Sequence, residues 1–462
     1  MRPVAHPAPL GWKAECIETL RIAGPLALAN LLQMLTYAVD IIFIARLGPQ
    51  ELAAASLGIS VFGLLVWSLQ GLTGAVAPIM AAELGARAPA LRPVRRSVRM
   101  ALWLAAITGA MAMVVCTFTE PLMRLTGQDE RIAVLGGQYV DILLWSAIPM
   151  IMASVLRNFV SALGRPIFAT MITALGIGVN ALGNYAFIFG NLGAPAMGLE
   201  GAAIATIITS LAIVLFYVIA IRIDARLHRY HVFGFFWRPD WARLGEIIRI
   251  GTPIWLTILA EAGVFAAAAF LMGMVGAQQL AAHTLALQIA AMAFQVPQGV
   301  GQAATIRVGY FFGASESEGV RQAGWAAIGM GLAFVTMTAL AMLLAPEYLL
   351  AIYIDPWDPA NATLVGYATS FLIVGAAFQL SDSTQVVGAG VLRGLKDTRI
   401  PMWIALFSYW VPGFGLAVGL GFAAGLGGVG IWIGLAAGLT CAAILLLARW
   451  HRRETLGLLR RN

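Results

Sequence analysis

Residues 22–44 read IAGPLALANLLQMLTYAVDIIFI, a 23-residue run in which Asp40 is the only acid and no side chain is basic. A helix of about 20 apolar residues crosses the hydrocarbon core of a bilayer. This run is therefore long enough to span a membrane, and it places a carboxylate inside the span. Because an ionisable group at that depth costs about 2.5–3.5 kcal/mol on insertion scales, it usually faces a polar cavity and marks a functional site.

Runs of the same kind recur along the whole chain, which is 60% hydrophobic and 11% charged and has a mean hydropathy of +0.85. This composition excludes a soluble protein, and the long runs differ from the short alternating segments of a membrane β-barrel. We therefore predict an all-α integral membrane protein with twelve transmembrane helices. The predicted spans are 19–46, 52–80, 97–118, 134–160, 167–190, 200–222, 247–274, 280–308, 320–345, 362–390, 400–423 and 428–450.

The basic residues alternate between connections. Of the 29 Lys and Arg residues, only Arg46, Arg124 and Arg131 fall on the side opposite to the rest. The positive-inside rule then predicts that both termini and all even-numbered connections are cytoplasmic. The net charge of +7 needs no nucleic-acid partner. We expect a monomer surrounded by membrane lipid in a plasma membrane, by default the bacterial inner membrane.

The two halves of the chain match each other at a shift of about 228 residues. RIAGP at 21–25 matches RIGTP at 249–253, and LAA at 52–54 matches LAA at 280–282. A repeat of six spans keeps its orientation, so it predicts two six-helix bundles related by a pseudo-two-fold axis along the membrane normal. The predicted segments are a cytoplasmic N-terminal segment at 1–18, an N-terminal lobe at 19–222, a cytoplasmic linker at 223–246, a C-terminal lobe at 247–450 and a cytoplasmic tail at 451–462.

In the N-terminal lobe, Asn180 and Asn184 are four residues apart and so share one helix face. Amides at this spacing would complete a cation site with Asp40 or hydrogen-bond its protonated carboxyl, and Thr206 would add a hydroxyl. The alternative is that the amides only hold helices together. Pro25 lies fifteen residues before Asp40, where it lets the helix bend.

The C-terminal lobe offers two more acids inside spans. Glu261 lies in an Ala-rich run, and Asp382 lies in the polar stretch FQLSDSTQ at 378–385, which includes Ser381. Gln288 adds a polar group in the neighbouring span. We predict that Asp40, Glu261 and Asp382 exchange protons or bind Na⁺, since burial disfavours a charged carboxylate. Structural hydrogen bonding within the bundle is the alternative for all three.

Aromatic side chains lie near these acids in the sequence. Tyr37, Phe265 and Phe378 would attract a cationic substrate through cation–π contacts. His283, at one end of its span, is better explained as a hydrogen-bonded structural histidine than as a proton relay. The sequence has no P-loop, which excludes an ATPase or kinase. We therefore expect a transporter without a cofactor, driven by a Na⁺ or H⁺ gradient, and not an enzyme.

These residues, in this order, resemble the multidrug and toxic compound extrusion (MATE) family and its NorM-like branch. The resemblance covers essentially the whole chain. It is carried by Pro25, Asp40, Gly48, Leu52–Ala54, Leu156, Arg157, Asn180, Asn184, Glu261, Gly276, Leu280–His283, Asp382 and Val391–Thr398.

The resemblance implies two six-helix bundles around a V-shaped cavity. It also implies alternating-access export of organic cations and other amphipathic drugs in exchange for Na⁺ or H⁺. It assigns an N-lobe site to Asp40, Asn180, Asn184 and Thr206, and a C-lobe site to Glu261 and Asp382. Some relatives have an aspartate in place of Asn184. Some Na⁺-coupled relatives have a tyrosine in place of Phe378, which lacks a hydroxyl ligand.

Two other functions remain. A lipid or lipid-linked-sugar flippase would line its cavity with Arg or Lys to bind phosphate, whereas every basic residue here can be placed near a membrane interface. A channel or receptor is the third candidate, although the parallel repeat argues against a receptor.

Overall fold

The computed structural model describes residues 11–86 and 89–459. Within these residues, twelve helices are long and apolar enough to cross a membrane, and there is no β-strand. This confirms the predicted all-α, multi-pass membrane protein. The helices are α1 (Trp12–Ala45), α2 (Pro49–Ala86), α3 (Leu91–Cys116), α4 (Glu130–Ala162), α5 (Ile167–Phe189), α6 (Gly198–Ile223), α7 (Trp241–Val275), α8 (Ala277–Ala314), α9 (Ser317–Leu344), α10 (Pro359–Gly394), α11 (Arg399–Ala423) and α12 (Gly427–His451).

Three of these helices are irregular. Helix α2 is interrupted at Ala75, and α4 contains a 3₁₀ turn at Leu144–Ser146. Helix α11 widens into π-helical turns at Tyr409–Phe414 and Gly419–Ala423. Such turns shift the direction of the side chains that follow and often occur at functional sites.

Most helices begin a few residues before their predicted spans, and α1, α3 and α7 begin six or seven residues before them. Helix α1 begins at Trp12 and α7 at Trp241, before the predicted starts at residues 19 and 247. At the start of α7, Asp240 Oδ1 accepts a hydrogen bond from the Arg243 backbone N–H at 3.2 Å. This is the arrangement of a helix N-cap, which satisfies a backbone donor without any apolar side chain.

The chain forms two compact units. Unit 1 contains the chain up to Ala27, a short segment around Gly85, and the chain from Leu256 onward; unit 2 contains Leu28–Leu84 and Pro89–Trp255. Both α1 and α7 are therefore divided between the units. Each division falls just after a proline, Pro25 or Pro253, and these two prolines correspond in the sequence repeat.

Side-chain contacts hold each helix start in its unit. In unit 1, Arg307 donates two hydrogen bonds to the fully buried Glu15, at 2.8 and 2.5 Å. In unit 2, Trp255 Nε1 donates to Ser68 Oγ at 3.2 Å. Gly251 lies so close to the Leu72 backbone that a Cβ on Gly251 would be 2.1 Å from the Leu72 carbonyl oxygen.

The core of unit 1 is built around Trp432, which is fully buried. Its ring stacks on Phe371 with 6.2 Å between centroids, and it meets Phe378 and His283 edge to face at 5.4 and 5.6 Å. These contacts join α8, α10 and α12.

Close backbone packing joins α8 and α10. A Cβ on Gly390 would be 2.5 Å from the Gly301 carbonyl oxygen. Thr305 Oγ1 is within hydrogen-bond distance of both carbonyls, at 3.0 Å from Gly301 O and 2.9 Å from Gly390 O. Small residues and interhelical hydrogen bonds of this kind drive helix association in membranes.

Candidate functional site

The Asp40 carboxylate in α1 is held by two amides from α5. Asp40 Oδ1 accepts hydrogen bonds from Asn180 Nδ2 at 2.9 Å and from Asn184 Nδ2 at 2.7 Å. Asn184 Nδ2 also donates to Asn180 Oδ1 at 3.3 Å. All three side chains are more than 90% buried. The amides thus present nitrogen donors to the carboxylate, an arrangement that stabilises its charged form.

Asp40 lines an open cavity within unit 2, whose empty space, together with the solvent at its open side, is about 800 Å³. Thr206 and Tyr37 line the same cavity. The other lining residues are Gln33, Thr36, Gln70, Met150, Ala153, Ser154, Arg157, Thr173, Asn180, Thr209, Ser210, Ile213 and Tyr217.

Five threonine and serine hydroxyls of this cavity donate to carbonyl groups of their own helices. Thr206 Oγ1, for example, donates to the Ala202 carbonyl at 3.1 Å, and Thr209 Oγ1 donates to Ala205 at 2.7 Å. The same pattern holds for Thr36, Thr173 and Ser210. Since the protons of these five hydroxyls are already engaged, their oxygen lone pairs remain to accept hydrogen bonds or to contact a cation in the cavity.

Arg157 also lines the cavity, which differs from the sequence-based expectation that basic residues stay at the membrane interfaces. It lies on the last turns of α4 and its side chain lines the cavity. Arg157 Nη1 donates to Asn30 Oδ1 at 3.3 Å. Within the part of the chain that the structure describes, Arg157 has no ion pair. Tyr217, which is 2% exposed, is close enough to interact with its charge.

Several residues of this site were not identified from the sequence. They include Gln33, Gln70, Arg157 and Tyr217 in the cavity wall, and the buried Tyr139, which lies close enough to Asp40 to interact electrostatically. A polar residue in a span is the one signal that would have found them.

Pro25 lies about four helical turns before Asp40 on α1.

In unit 1, Glu261 lines a smaller cavity of about 250 Å³. Phe265, Tyr409 and Gly413 also line it. Tyr409 and Gly413 belong to the first π-helical turn of α11. The Tyr409 hydroxyl accepts a hydrogen bond from Gln385 Nε2 at 2.6 Å, so its own proton is available to a neighbouring acid.

Asp382 is buried on α10, with 5% of its surface exposed. Its Oδ1 has no hydrogen-bond partner among the described residues. Glu261 lies close enough for the two charges to interact, and Arg393 and Tyr409 interact with Glu261 in the same way. The structure therefore brings both predicted acids of this unit together with one arginine and one phenol.

The other polar residues predicted for this unit lie apart from the Glu261 cavity. Ser381 shares a hydrogen bond of 2.7 Å with Thr440, and Gln288 is exposed on α8. Phe378 is 2% exposed and lies in the core, because it packs edge to face against both Phe265 and Trp432. Of the predicted aromatic residues, Tyr37 and Phe265 line cavities.

His283 is 1% exposed. The structure gives neither of its ring nitrogens a hydrogen-bond partner within residues 11–86 and 89–459. Its contact is with the Trp432 ring. A structural role for His283 therefore depends on ring packing and not on the hydrogen bond expected from the sequence.

In comparisons with known proteins, one family matches both halves of the chain. The MatE family model matches residues 25–186 and 253–418. A protein described as "Probable multidrug resistance protein NorM", from Mesorhizobium japonicum, is 43% identical over 444 residues, which cover 96% of this chain and 95% of that protein. "Multidrug resistance protein NorM" from Burkholderia vietnamiensis is 38% identical over 456 residues, covering 97% and 96%.

Solved structures share the fold. "Outward-facing conformation of a multidrug resistance MATE family transporter of the MOP superfamily" aligns with a TM-score of 0.86 at 22% identity and covers 97% of each chain. "Crystal structure of eukaryotic MATE transporter AtDTX14" aligns with a TM-score of 0.83 at 20% identity and covers 95% of this chain and 96% of that one.

Proposed function

Because the chain belongs to the MatE family, we propose that it is a secondary active multidrug efflux transporter. It exports organic cations and other amphipathic drugs in exchange for Na⁺ or H⁺. Two similar proteins carry the name of multidrug resistance proteins. Both come from bacteria, so we place this chain in the bacterial inner membrane, with its termini in the cytoplasm as the distribution of basic residues indicates.

The observation that carries this proposal is the Asp40 carboxylate in a cavity lined mainly by uncharged polar side chains. Two amide donors stabilise its negative charge, and the surrounding hydroxyls present acceptor oxygens. An anion in a cavity with acceptor walls attracts an organic cation. Tyr37 in the same wall adds a π-face for the cation.

Exchange follows if drug and coupling ion compete for this carboxylate. A cationic drug binds Asp40 when the cavity is open to the cytoplasm. After the cavity opens outward, a proton or Na⁺ neutralises Asp40 and the drug leaves. The ion is then released inward. This cycle is a population shift in which each ligand favours one state through its differential affinity.

A second ion site at Glu261 and Asp382 fits the energetics. Moving one charge through 100 mV is worth about 2.3 kcal/mol, and exporting a monovalent cation against that potential costs the same amount. A one-for-one exchange is then driven by the chemical gradient alone, about 1.4 kcal/mol per pH unit. Strong accumulation of a cation outside needs a second ion, and the two nearby acids of unit 1 provide a place for it.

A lipid flippase is not favoured. A phosphate-binding cavity needs a cluster of cations, whereas the Asp40 cavity contains one arginine together with an acid. The relatives reported above are named for multidrug resistance.

Reconstitution in liposomes tests the proposal. We would measure movement of a fluorescent monocation under separately imposed Na⁺ and H⁺ gradients, in the wild type and in Asp40→Asn. Asp141→Asn is the matched control, because Asp141 is an exposed acid on α4 of the same unit. We expect one gradient to drive export, Asp40→Asn to abolish it and Asp141→Asn to retain it. The proposal would be refuted if export by the folded protein responded to neither gradient, or if gradient-driven export persisted in Asp40→Asn.

A further inference from the structure

Four arginines come together where α3 begins. Arg95, Arg96 and Arg238 all lie close enough to the buried Arg99 to interact with its charge. Arg96 forms an ion pair with Asp240. Within the residues that the structure describes, the remaining three arginines have no ion pair. The protein therefore gathers three positive charges at one place without an acid paired to any of them.

Two of these arginines share one aromatic ring. Arg95 Cζ lies 5.3 Å and Arg238 Cζ lies 5.0 Å from the centroid of the Phe235 ring. The ring attracts each cation, but the two guanidinium groups repel each other. A further acid in this region, Glu83, forms its ion pair with Arg243. An anion bound beside the ring would offset the repulsion between the two arginines.

The segment that contains Phe235 is held against α3 in a defined conformation. Phe235 has a φ of 55°, in the left-handed region that a bulky residue rarely adopts. Arg99 Nη1 donates to the Phe235 carbonyl at 3.0 Å, and Trp103 Nε1 donates to the Phe236 carbonyl at 3.1 Å. Both donors come from α3. The arginines of α3 and the segment before α7 therefore form one preorganised surface.

This surface also has an unsatisfied donor. Arg99 is 6% exposed, and its Nε has no hydrogen-bond partner among the described residues. A guanidinium has five N–H donors, and a buried donor without a partner costs free energy. The protein thus leaves both charge and hydrogen-bonding capacity of this cluster unused.

Exposed aromatic side chains border the arginines. Trp237 is 83% exposed and Trp241 is 67% exposed. The Trp237 ring packs edge to face on Phe236 with 5.6 Å between centroids. These residues lie at the start of α7, where tryptophan is typical of the headgroup level of a membrane. Basic clusters beside a transmembrane helix on its cytoplasmic side are typical of sites for anionic lipid headgroups.

We propose that Arg95, Arg99, Arg238, Phe235 and Trp237 form a binding site for an anionic phospholipid of the cytoplasmic leaflet. We call these five residues the arginine surface. The guanidinium groups bind the lipid phosphate, for which their planar donor geometry is suited. The exposed indole of Trp237 contacts the upper part of the acyl chains.

A lipid at this position would link two helices of unit 2. Arg95 and Arg99 belong to α3, whereas Arg238 precedes α7, so one phosphate would be shared between them. A zwitterionic lipid has the same phosphate, but its ammonium group would be repelled by the unpaired arginines. The site should therefore prefer a lipid with a net negative charge.

Native mass spectrometry of the full-length protein counts bound lipids directly. We would titrate the detergent-purified protein with palmitoyl-oleoyl phosphatidylglycerol, and separately with phosphatidylcholine that has the same acyl chains. The test variant is Arg95→Gln/Arg238→Gln. Arg222→Gln/Arg226→Gln is the matched control, because it removes two exposed arginines of unit 2 at and just after the end of α6.

We expect the wild type to bind the first phosphatidylglycerol about tenfold more tightly than phosphatidylcholine, the effect of additional interactions between charged groups. Arg95→Gln/Arg238→Gln should lower the affinity for phosphatidylglycerol about tenfold and change phosphatidylcholine binding much less. The control should keep the wild-type preference. Equal affinities for the two lipids in the wild type would overturn the inference. So would equal losses in the two double variants, since net charge alone would then explain the binding.

A single variant guards against misfolding of the double variant. Arg238 is exposed and lies outside the helices, so Arg238→Gln should leave the melting temperature without lipid unchanged. It should lower the affinity for phosphatidylglycerol about threefold. A folded Arg238→Gln with the full wild-type preference would also overturn the inference.

Inorganic phosphate distinguishes a lipid from a soluble anion. It offers the same oxygens without acyl chains, so we would add it as a competitor. We expect phosphatidylglycerol to stay bound, and Trp237→Ala to lower the affinity for both lipids. Displacement by phosphate at the concentration of the lipid would assign the arginine surface to a soluble anion and overturn the inference. None of these measurements depends on transport, so their failure would leave the proposed function intact.

Discussion

Asn184 donates its side-chain amide to the Asp40 carboxylate at 2.7 Å, although the two residues are 144 positions apart in the chain. Asn180 donates to the same oxygen from one turn earlier on α5. An aspartate at position 184 would place a second acid there instead of a donor. The amide therefore gives Asp40 a hydrogen-bond donor without adding charge to the cavity.

Removing this amide should weaken cation binding. A hydrogen bond to a charged group contributes about 1.5–3 kcal/mol. We expect Asn184→Leu to lower the affinity for rhodamine 123 about tenfold, measured by fluorescence anisotropy. Asn191→Leu removes an amide that bonds the Tyr185 carbonyl outside the cavity, and it should have little effect. An unchanged affinity in Asn184→Leu would show that the amide is only a helix–helix contact.

The Tyr409 hydroxyl should support ion binding in unit 1. It lines the Glu261 cavity and provides a neutral oxygen that Phe378 lacks. We expect Tyr409→Phe and Glu261→Gln to reduce the rise in melting temperature that the coupling ion produces, since an ion that binds the folded state stabilises it. Tyr353→Phe, which removes a hydroxyl facing the Met292 sulfur, is the control. A full ion-dependent rise in Tyr409→Phe would exclude the hydroxyl from the site.

The contact between α8 and α10 should not tolerate a methyl group. A Cβ on Gly390 would be 2.5 Å from the Gly301 carbonyl oxygen, whereas a Cβ on Gly366 of the same helix has open space. We expect Gly390→Ala to destabilise the protein by about 1–3 kcal/mol and Gly366→Ala to leave it unchanged or more stable. Thermal unfolding in detergent measures both. Equal melting temperatures would mean that the helices separate at little cost.

Asp240, just before α7, should make the stability of the folded protein depend on pH. The hydrogen bond from Arg96 lowers the pKa of Asp240 below its usual value. A lowered pKa in the folded state gives stability that is present above about pH 4 and is lost as the pH falls further. Asp240→Asn keeps the N-cap and should remove this acid-dependent loss, whereas Asp240→Ala should also lose the cap, about 1 kcal/mol.

Melting temperatures of the three proteins across this pH range provide the measurement. The comparison is between variants, because other carboxylates also titrate there. If acid lowers the melting temperature of Asp240→Asn as much as that of the wild type, the ion pair with Arg96 contributes nothing to stability.

Hydropathy and the pattern of basic residues were sufficient to predict twelve helices, because the apolar length of each span can be read from its own residues without knowledge of its neighbours. The grouping of Asp40 with Asn180 and Asn184 was predictable for a related reason. Two amides four residues apart lie on the same face of a helix. A carboxylate inside a bilayer needs a hydrogen-bond donor or an opposite charge beside it.

The cavity walls could not be predicted in the same way. Whether Arg157 faces an interface or a cavity depends on the rotation of α4 against its neighbours, which composition does not encode. Tyr409 comes close to Glu261 on a π-helical turn, where regular helical spacing no longer applies. Phe378 was expected to line a cavity, but it packs against the ring of Trp432 in the core.

The division of α1 after Pro25 and of α7 after Pro253 affects the order of assembly during synthesis. The start of α1 is made first, yet the rest of its unit is made almost entirely after Trp255. The second unit is complete once Trp255 has emerged. If the chain were cut in the connection before α7, the N-terminal fragment would lack Trp241–Trp255, which belong to unit 2. The C-terminal fragment would lack the start of α1, which belongs to unit 1. We therefore expect that the two halves of the sequence repeat do not fold independently, because the start of α1 belongs to a unit whose other residues lie almost entirely after Trp255.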